Sequence, residues 1–144
     1  MYRKIIILSV AVATLTLGGV YLVFFFNMID TNFATEATLH FSVRDEVTGI
    51  FINNEFSITD DEDIRVLKGI LRGRAVRDSP ACGFTVNVSI IMSGGERSST
   101  FSPALDGCPL IRIDDSDRYI RISEEQRKIL DRIFERYGLT FPAI

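Results

Sequence analysis

A chain of 144 residues that is 47% hydrophobic holds enough material for one small domain once the apolar residues crowded into its first 26 positions are set aside. Beyond Arg3 and Lys4 the chain has 14 basic residues against 19 acidic ones, a net charge of −5. That balance argues against a nucleic-acid binder and against a domain drawn to anionic lipid headgroups.

The first feature in chain order is IIILSVAVATLTLGGVYLVFFF, 22 residues from Ile5 to Phe26 without a charge. At about 1.5 Å per residue such a helix spans ~33 Å, enough for a hydrocarbon core of ~30 Å. Residues 1–27 are therefore expected to form a cytoplasmic tip and a transmembrane anchor, in contact with the lipid bilayer through residues 5–26. A cleaved signal peptide is the alternative, but its apolar core is shorter, about 7 to 15 residues, and YLVFFFN makes a poor cleavage site. Arg3 and Lys4 precede the run while Asp30 and Glu36 follow it, which places the N-terminus in the cytoplasm and the rest outside. The chain is thus expected to be a single-pass membrane protein with an extracytoplasmic domain.

Residues 28–37, within NMIDTNFATEAT, show no clean period and are expected to be a stalk, with the α+β domain over 38–144. In TLHFSV, Leu39, Phe41 and Val43 alternate with His40, Ser42 and Arg44, the period of a half-buried strand. GIFINNEFSI follows, and Asn53 and Asn54 predict a hairpin turn because asparagine tolerates positive φ. TDDEDIRVLKGIL predicts a helix. Thr59 and Glu62 have capping-box spacing, Ile64, Leu67 and Leu71 share a face, and Val66 and Ile70 widen it. The acidic run Asp60 to Asp63 lies at the positive end of the helix dipole, each carboxylate adding ~0.3 to 1 kcal/mol.

FTVNVSIIM, SSTFS, PLIRI and RYIRI then read as strands, the last two separated by a turn at Asp114 to Asp117. SEEQRKILDRIFERYG predicts a closing helix, with Ser123 and Gln126 as a capping box and Gly138 as a left-handed C-terminal cap. Leu130, Ile133, Phe134 and Tyr137 form its apolar stripe. The order β-β-β-α-β-β-β-β-α places the chain in the α+β class: an N-terminal single transmembrane helix, then a small antiparallel sheet with two helices packed on one face.

Cys82 and Cys108 each follow a copy of S-P-A, at Ser79 to Ala81 and Ser102 to Ala104. Gly94 and Gly95 predict a hairpin. With a three-residue loop at 94–96, Ser93 opposes Arg97, and the same constant sum sets Cys82 opposite Cys108. Pro80 and Pro103 lack the N–H that a ladder needs, so the sum indicates proximity rather than strict register. Outside the cytoplasm such a pair is expected to form a disulfide worth about 3 to 4 kcal/mol, structural rather than redox-active because no second thiol lies close by. The two stapled loops then present Asp78, Ser79 and Asp106 as a candidate binding surface.

A catalytic set is not visible. His40 is the one histidine, it lies on a strand, and no serine stands in a G-x-S-x-G elbow. No catalytic residue is assigned, and a small envelope hydrolase working through carboxylates near Asp78 and Asp106 is the alternative reading. No C-x-x-C or H-x-x-x-H spacing supplies metal ligands, and Asp114 to Asp117 lacks the glycine and distal glutamate of a calcium loop, so neither metal nor cofactor is expected. These features together point to a membrane-anchored extracytoplasmic binding or accessory module with a protein partner in the envelope.

Overall fold

The computed structural model describes residue 16 and residues 27–44, 48–77, 81–84 and 87–139. The expected anchor over residues 5–26 lies almost wholly outside them. Among the described residues no helix is long and apolar enough to cross a membrane.

The described chain is α+β. A seven-stranded sheet has the order β3-β2-β6-β7-β8-β9-β5. Its strands are β2 (Glu36–Arg44), β3 (Phe51–Ile58), β5 (Val76–Arg77), β6 (Val88–Gly94), β7 (Arg97–Pro103), β8 (Leu110–Ile113) and β9 (Arg118–Arg121). Every pairing among the described strands is antiparallel, including that of β1 (Met28–Ile29) with β4 (Gly73–Arg74) in a separate two-stranded ribbon. The helices are α1 (Asp61–Ile70) and α2 (Glu124–Arg136).

Period-2 alternation sorts the sheet into two unlike faces. Leu39 stands opposite Ile90, Ile90 opposite Phe101, Phe101 opposite Ile113, and Ile111 opposite Ile120. All are buried, and with Ile64, Leu67 and Ile70 of α1 and Leu130, Ile133 and Phe134 of α2 they form one core cluster. The helices therefore bury their apolar stripes against this face. Across the other face run polar rows in register, Glu55–His40–Ser89 on one side and Ser102–Arg112–Tyr119 on the other.

Local chemistry fixes the helix ends. Ser123 accepts a hydrogen bond from Gln126 N–H while the Gln126 side chain accepts from Ser123 N–H, completing the predicted capping box. Gly138, at φ 84°, takes the predicted left-handed position after α2. The start of α1 differs from expectation by one residue. Asp60, not Thr59, is the N-cap, and its carboxylate accepts from both Glu62 and Asp63 N–H.

Other differences have equally local causes. Asn53 and Asn54 form no turn. β3 runs straight through them, in unbroken register from Arg44↔Phe51 to Ala37↔Ile58, and Asn53 Oδ1 accepts from Ser42 Oγ across the ladder. Positive φ is supplied earlier by Gly49, at 70°. The β6–β7 hairpin is one residue tighter than expected, since Gly94 opposes Arg97 and Gly95, at φ 60°, begins a two-residue turn. Gly94 is needed for a different reason: a Cβ there would collide with the Phe33 carbonyl oxygen and crowd Thr35 N.

Residues 28–37, expected as a stalk, contain β1 and the start of β2. Thr31, Ala34 and Ala37 are buried, and Thr31 Oγ1 donates to Lys68 O at 2.8 Å. That bond ties the segment to the C-terminal turn of α1.

Candidate functional site

The predicted disulfide is present. Cys82 and Cys108 are bonded with their Cα atoms 5.8 Å apart, within the span a disulfide can bridge. The ladder does not reach them at constant register. Pro103 ends β7 without an N–H to continue it, and Phe84 bridges Ala104 out of step with the Ile90–Phe101 pair. Proximity was legible from the hairpin, whereas the register was not.

Asp106 holds the two cysteine loops together. Its carboxylate accepts from Gly83 N–H at 2.5 Å and from Cys108 N–H at 3.2 Å. The Gly83 bond is the main reason its pKa lies below the usual carboxylate range, with the Cys108 N–H and the nearby Arg127 charge acting in the same direction. Leu105 N–H donating to Gly83 O at 3.0 Å, and Arg127 Nη1 donating to Ala104 O at 2.9 Å, secure the same corner. Asp106 is exposed, but its oxygens are occupied by backbone donors. Asp78 and Ser79 lie outside the described residues.

A cleft of about 380 Å³ opens on the helix-free face of the sheet, lined by Ser89, Thr100, Ser102, Arg112, Asp114 and Asp115. Ser89 and Ser102 are small and buried, so the centre of that face is hollow. The β8–β9 turn shapes one wall. Asp114 and Asp115 adopt φ values of 48° and 51°, a left-handed pair suited to a tight hairpin. Asp114 Oδ1 accepts from Thr100 N–H at 2.7 Å, and Asp115 pairs with Arg112 Nη2 at 2.8 Å.

Arg112 is the distinctive group. Its side chain is 20% exposed, and its Nε is buried with no hydrogen-bond partner among the described residues. A desolvated donor left unmade costs about 1 to 3 kcal/mol. Its guanidinium carbon lies 5.6 Å from the centroid of the Phe84 ring, which in turn packs on Tyr119 at 5.2 Å. Phe84 is two residues from Cys82 and its N–H donates to Cys82 O, so the disulfide corner supports the aromatic wall beside Arg112. The cleft thus combines hydroxyl groups, two carboxylates and one cation with an aromatic backing, a set that offers both donors and acceptors to a polar ligand.

His40 sits on the same face next to Ser89 in register. Among the described residues no group of three or more histidine, cysteine, aspartate or glutamate side chains is placed to hold a metal ion. A second cleft, about 420 Å³, lies where β2, β3 and α1 meet; its lining includes Thr35, Thr38, Ser57, Thr59 and Asp61 but no cation.

The cleft residues were not singled out from sequence. Their signal was the alternating polar positions of the middle strands, which converge only once the order β6-β7-β8 is known. Comparison with protein-family models, with curated proteins and with solved structures finds no match.

Proposed function

We propose that this chain is a binding or accessory module, anchored in the membrane by residues 5–26 with its domain outside the cytoplasm, that engages a polar ligand or the surface of an envelope protein through the Arg112 cleft. The observation that carries the binding reading is the buried Arg112 Nε, without a partner among the described residues, beside the hydroxyl groups of Ser89, Thr100 and Ser102. An acceptor contributed by a ligand recovers the hydrogen bond that the protein leaves unmade. The Cys82–Cys108 bond supports an oxidising compartment, in agreement with the charge asymmetry around the apolar run. The hydrolase alternative is weakened by Asp106, whose carboxylate is engaged by two backbone donors.

The test uses the full chain in its own membranes. A reporter fused after Ile144 is active only outside the cytoplasm, and the protein sediments with membranes. Photo-crosslinking from a probe at Thr100 yields a specific adduct that Arg112→Gln removes while the Cys82–Cys108 bond remains intact. Recovery of a soluble form beginning near residue 35 defeats the anchor. An adduct indifferent to Arg112→Gln defeats the cleft.

A further inference from the structure

β3 is an edge strand, and among the described residues no strand pairs with its outer side. The direction of its free backbone groups follows from the neighbouring ladder. Ser42 N–H donates to Asn87 O at 2.7 Å, so even-numbered residues of β2 turn toward β6 and odd-numbered ones toward β3. Leu39 and Phe41 face Phe56 and Asn54. Phe51, Asn53, Glu55 and Ser57 are left with N–H and C=O groups pointing outward.

This edge lacks the usual protection. It has no proline, no lysine and no break in register along Phe51–Ile58, and Glu55 is its only charge. It is also apolar: Ile50, Phe51, Ile52 and Phe56 are between 39% and 65% exposed, and with Met28 they are the large exposed apolar side chains among the described residues. Water is a poor neighbour for such an edge, and a complementary strand is a good one.

We propose that β3 pairs with β3 of a second copy of this chain, antiparallel, about a two-fold axis at Asn54. Residues facing each other across a self-paired strand must lie on the same side of the sheet, which restricts the possible centres. Centring on Glu55 brings two carboxylates together, and centring on Asn53 sets Ile52 against Asn54 and Phe51 against Glu55. The Asn54 centre avoids both conflicts. It sets Ile52 against Phe56 of the second copy, and by symmetry Phe56 against Ile52. It also sets Glu55 against Asn53, whose amide donates to a carboxylate. The outward backbone groups of Phe51, Asn53, Glu55 and Ser57 become hydrogen-bonded pairs, and the two sheets join into one. Because the axis lies at the edge, the Arg112 cleft of each copy stays open.

The experiment places Asn54→Cys in the full chain, in membranes under mild oxidation. Opposed residues at a non-hydrogen-bonded position approach to about 4.5 Å between Cα atoms, so the introduced thiols join and a reducible dimer forms. His40→Cys, on the inner strand β2, gives none. Adding Glu55→Pro, which deletes an outward N–H and leaves the β2–β3 ladder whole, lowers the dimer fraction by about tenfold. Ile52→Lys, a charge on an already exposed position, does the same by a different route. Asn54→Cys giving no more dimer than His40→Cys overturns the proposal. So does a dimer fraction unchanged by both Glu55→Pro and Ile52→Lys, or an adduct whose mass identifies a different protein.

Discussion

Removing either end of the Asp63–Arg136 pair deletes the same interaction, yet the two removals are expected to differ in cost. Arg136 Nη1 donates to both Asp63 oxygens, at 2.7 and 2.6 Å, and Tyr137 Oη donates to the second at 3.3 Å. The pair joins α1 to α2 across 73 positions of sequence. The side chain of Asp63 is 5% exposed and that of Arg136 57%. Arg136→Ala strands a nearly buried carboxylate with one long hydrogen bond from a phenol, which costs about 3 to 5 kcal/mol. Asp63→Ala instead releases a guanidinium that already reaches water. Its cost is the charge-assisted bond, discounted for that exposure, about 1 to 2 kcal/mol.

The difference, about 2 kcal/mol, corresponds to roughly 10 °C in melting temperature for a domain of this size. Thermal melts of the full chain in detergent compare the two single variants with Asp63→Ala/Arg136→Ala. The double variant is expected to melt close to Asp63→Ala, since Arg136 has little left to lose once its partner is gone. Equal losses from the two single variants refute the reasoning, because they would mean that desolvation of Asp63 does not decide the balance. A double variant at the sum of the two refutes it as well.

Replacing Cys82 and Cys108 together with serine lowers stability by about 3 to 4 kcal/mol in denaturant unfolding, the loop-closure value for partners 26 residues apart. Asp106 has its pKa held below the ordinary carboxylate range chiefly by the Gly83 N–H, so its contribution is present at neutral pH and lost as pH falls below about 4. Asp106→Asn therefore flattens the acid side of the stability curve between pH 7 and pH 3, and a slope as steep as the parent's rules this out. Gly94→Ala drives a methyl group into the Phe33 carbonyl and is expected to cost about 1 to 3 kcal/mol by equilibrium unfolding, with Gly95→Asn, at an open turn position, costing much less.

How far the sequence discloses this fold depends on whether a signal is local. α2 was legible because Ser123, Gln126 and Gly138 act within a turn of the residues they cap. At α1 the Thr59–Glu62 spacing pointed to a start one residue too early, because it is the carboxylate of Asp60 that reaches the two N–H groups. At Asn53 and Asn54 a local turn preference was overridden by pairing along the whole of β3, an outcome set by residues of β2. Thr31 and Ala34 gave no periodic signal because they are buried as irregular segments against α1 and neighbouring backbone, not as members of a helix or strand. The cleft was the least legible part, as Ser89, Ser102 and Arg112 lie on three strands and meet only through the sheet order.

The staple and the cleft are physically continuous, which gives the disulfide a consequence beyond stability. The Cys82–Cys108 bond and the Asp106 carboxylate fix Gly83; Phe84 follows, bridges Ala104 and sets its ring beside Arg112. The helix side of the sheet is packed with leucine, isoleucine and phenylalanine, and the cleft that holds Arg112 lies on the opposite side. There the hollow exists because two neighbouring strands place serine where a larger residue would fill it. Enlarging Ser102 to leucine fills the cleft from a position the core does not use, whereas reducing the disulfide leaves the cleft's volume but loosens its aromatic wall. Ligand binding that survives both changes would have to occur elsewhere on the domain.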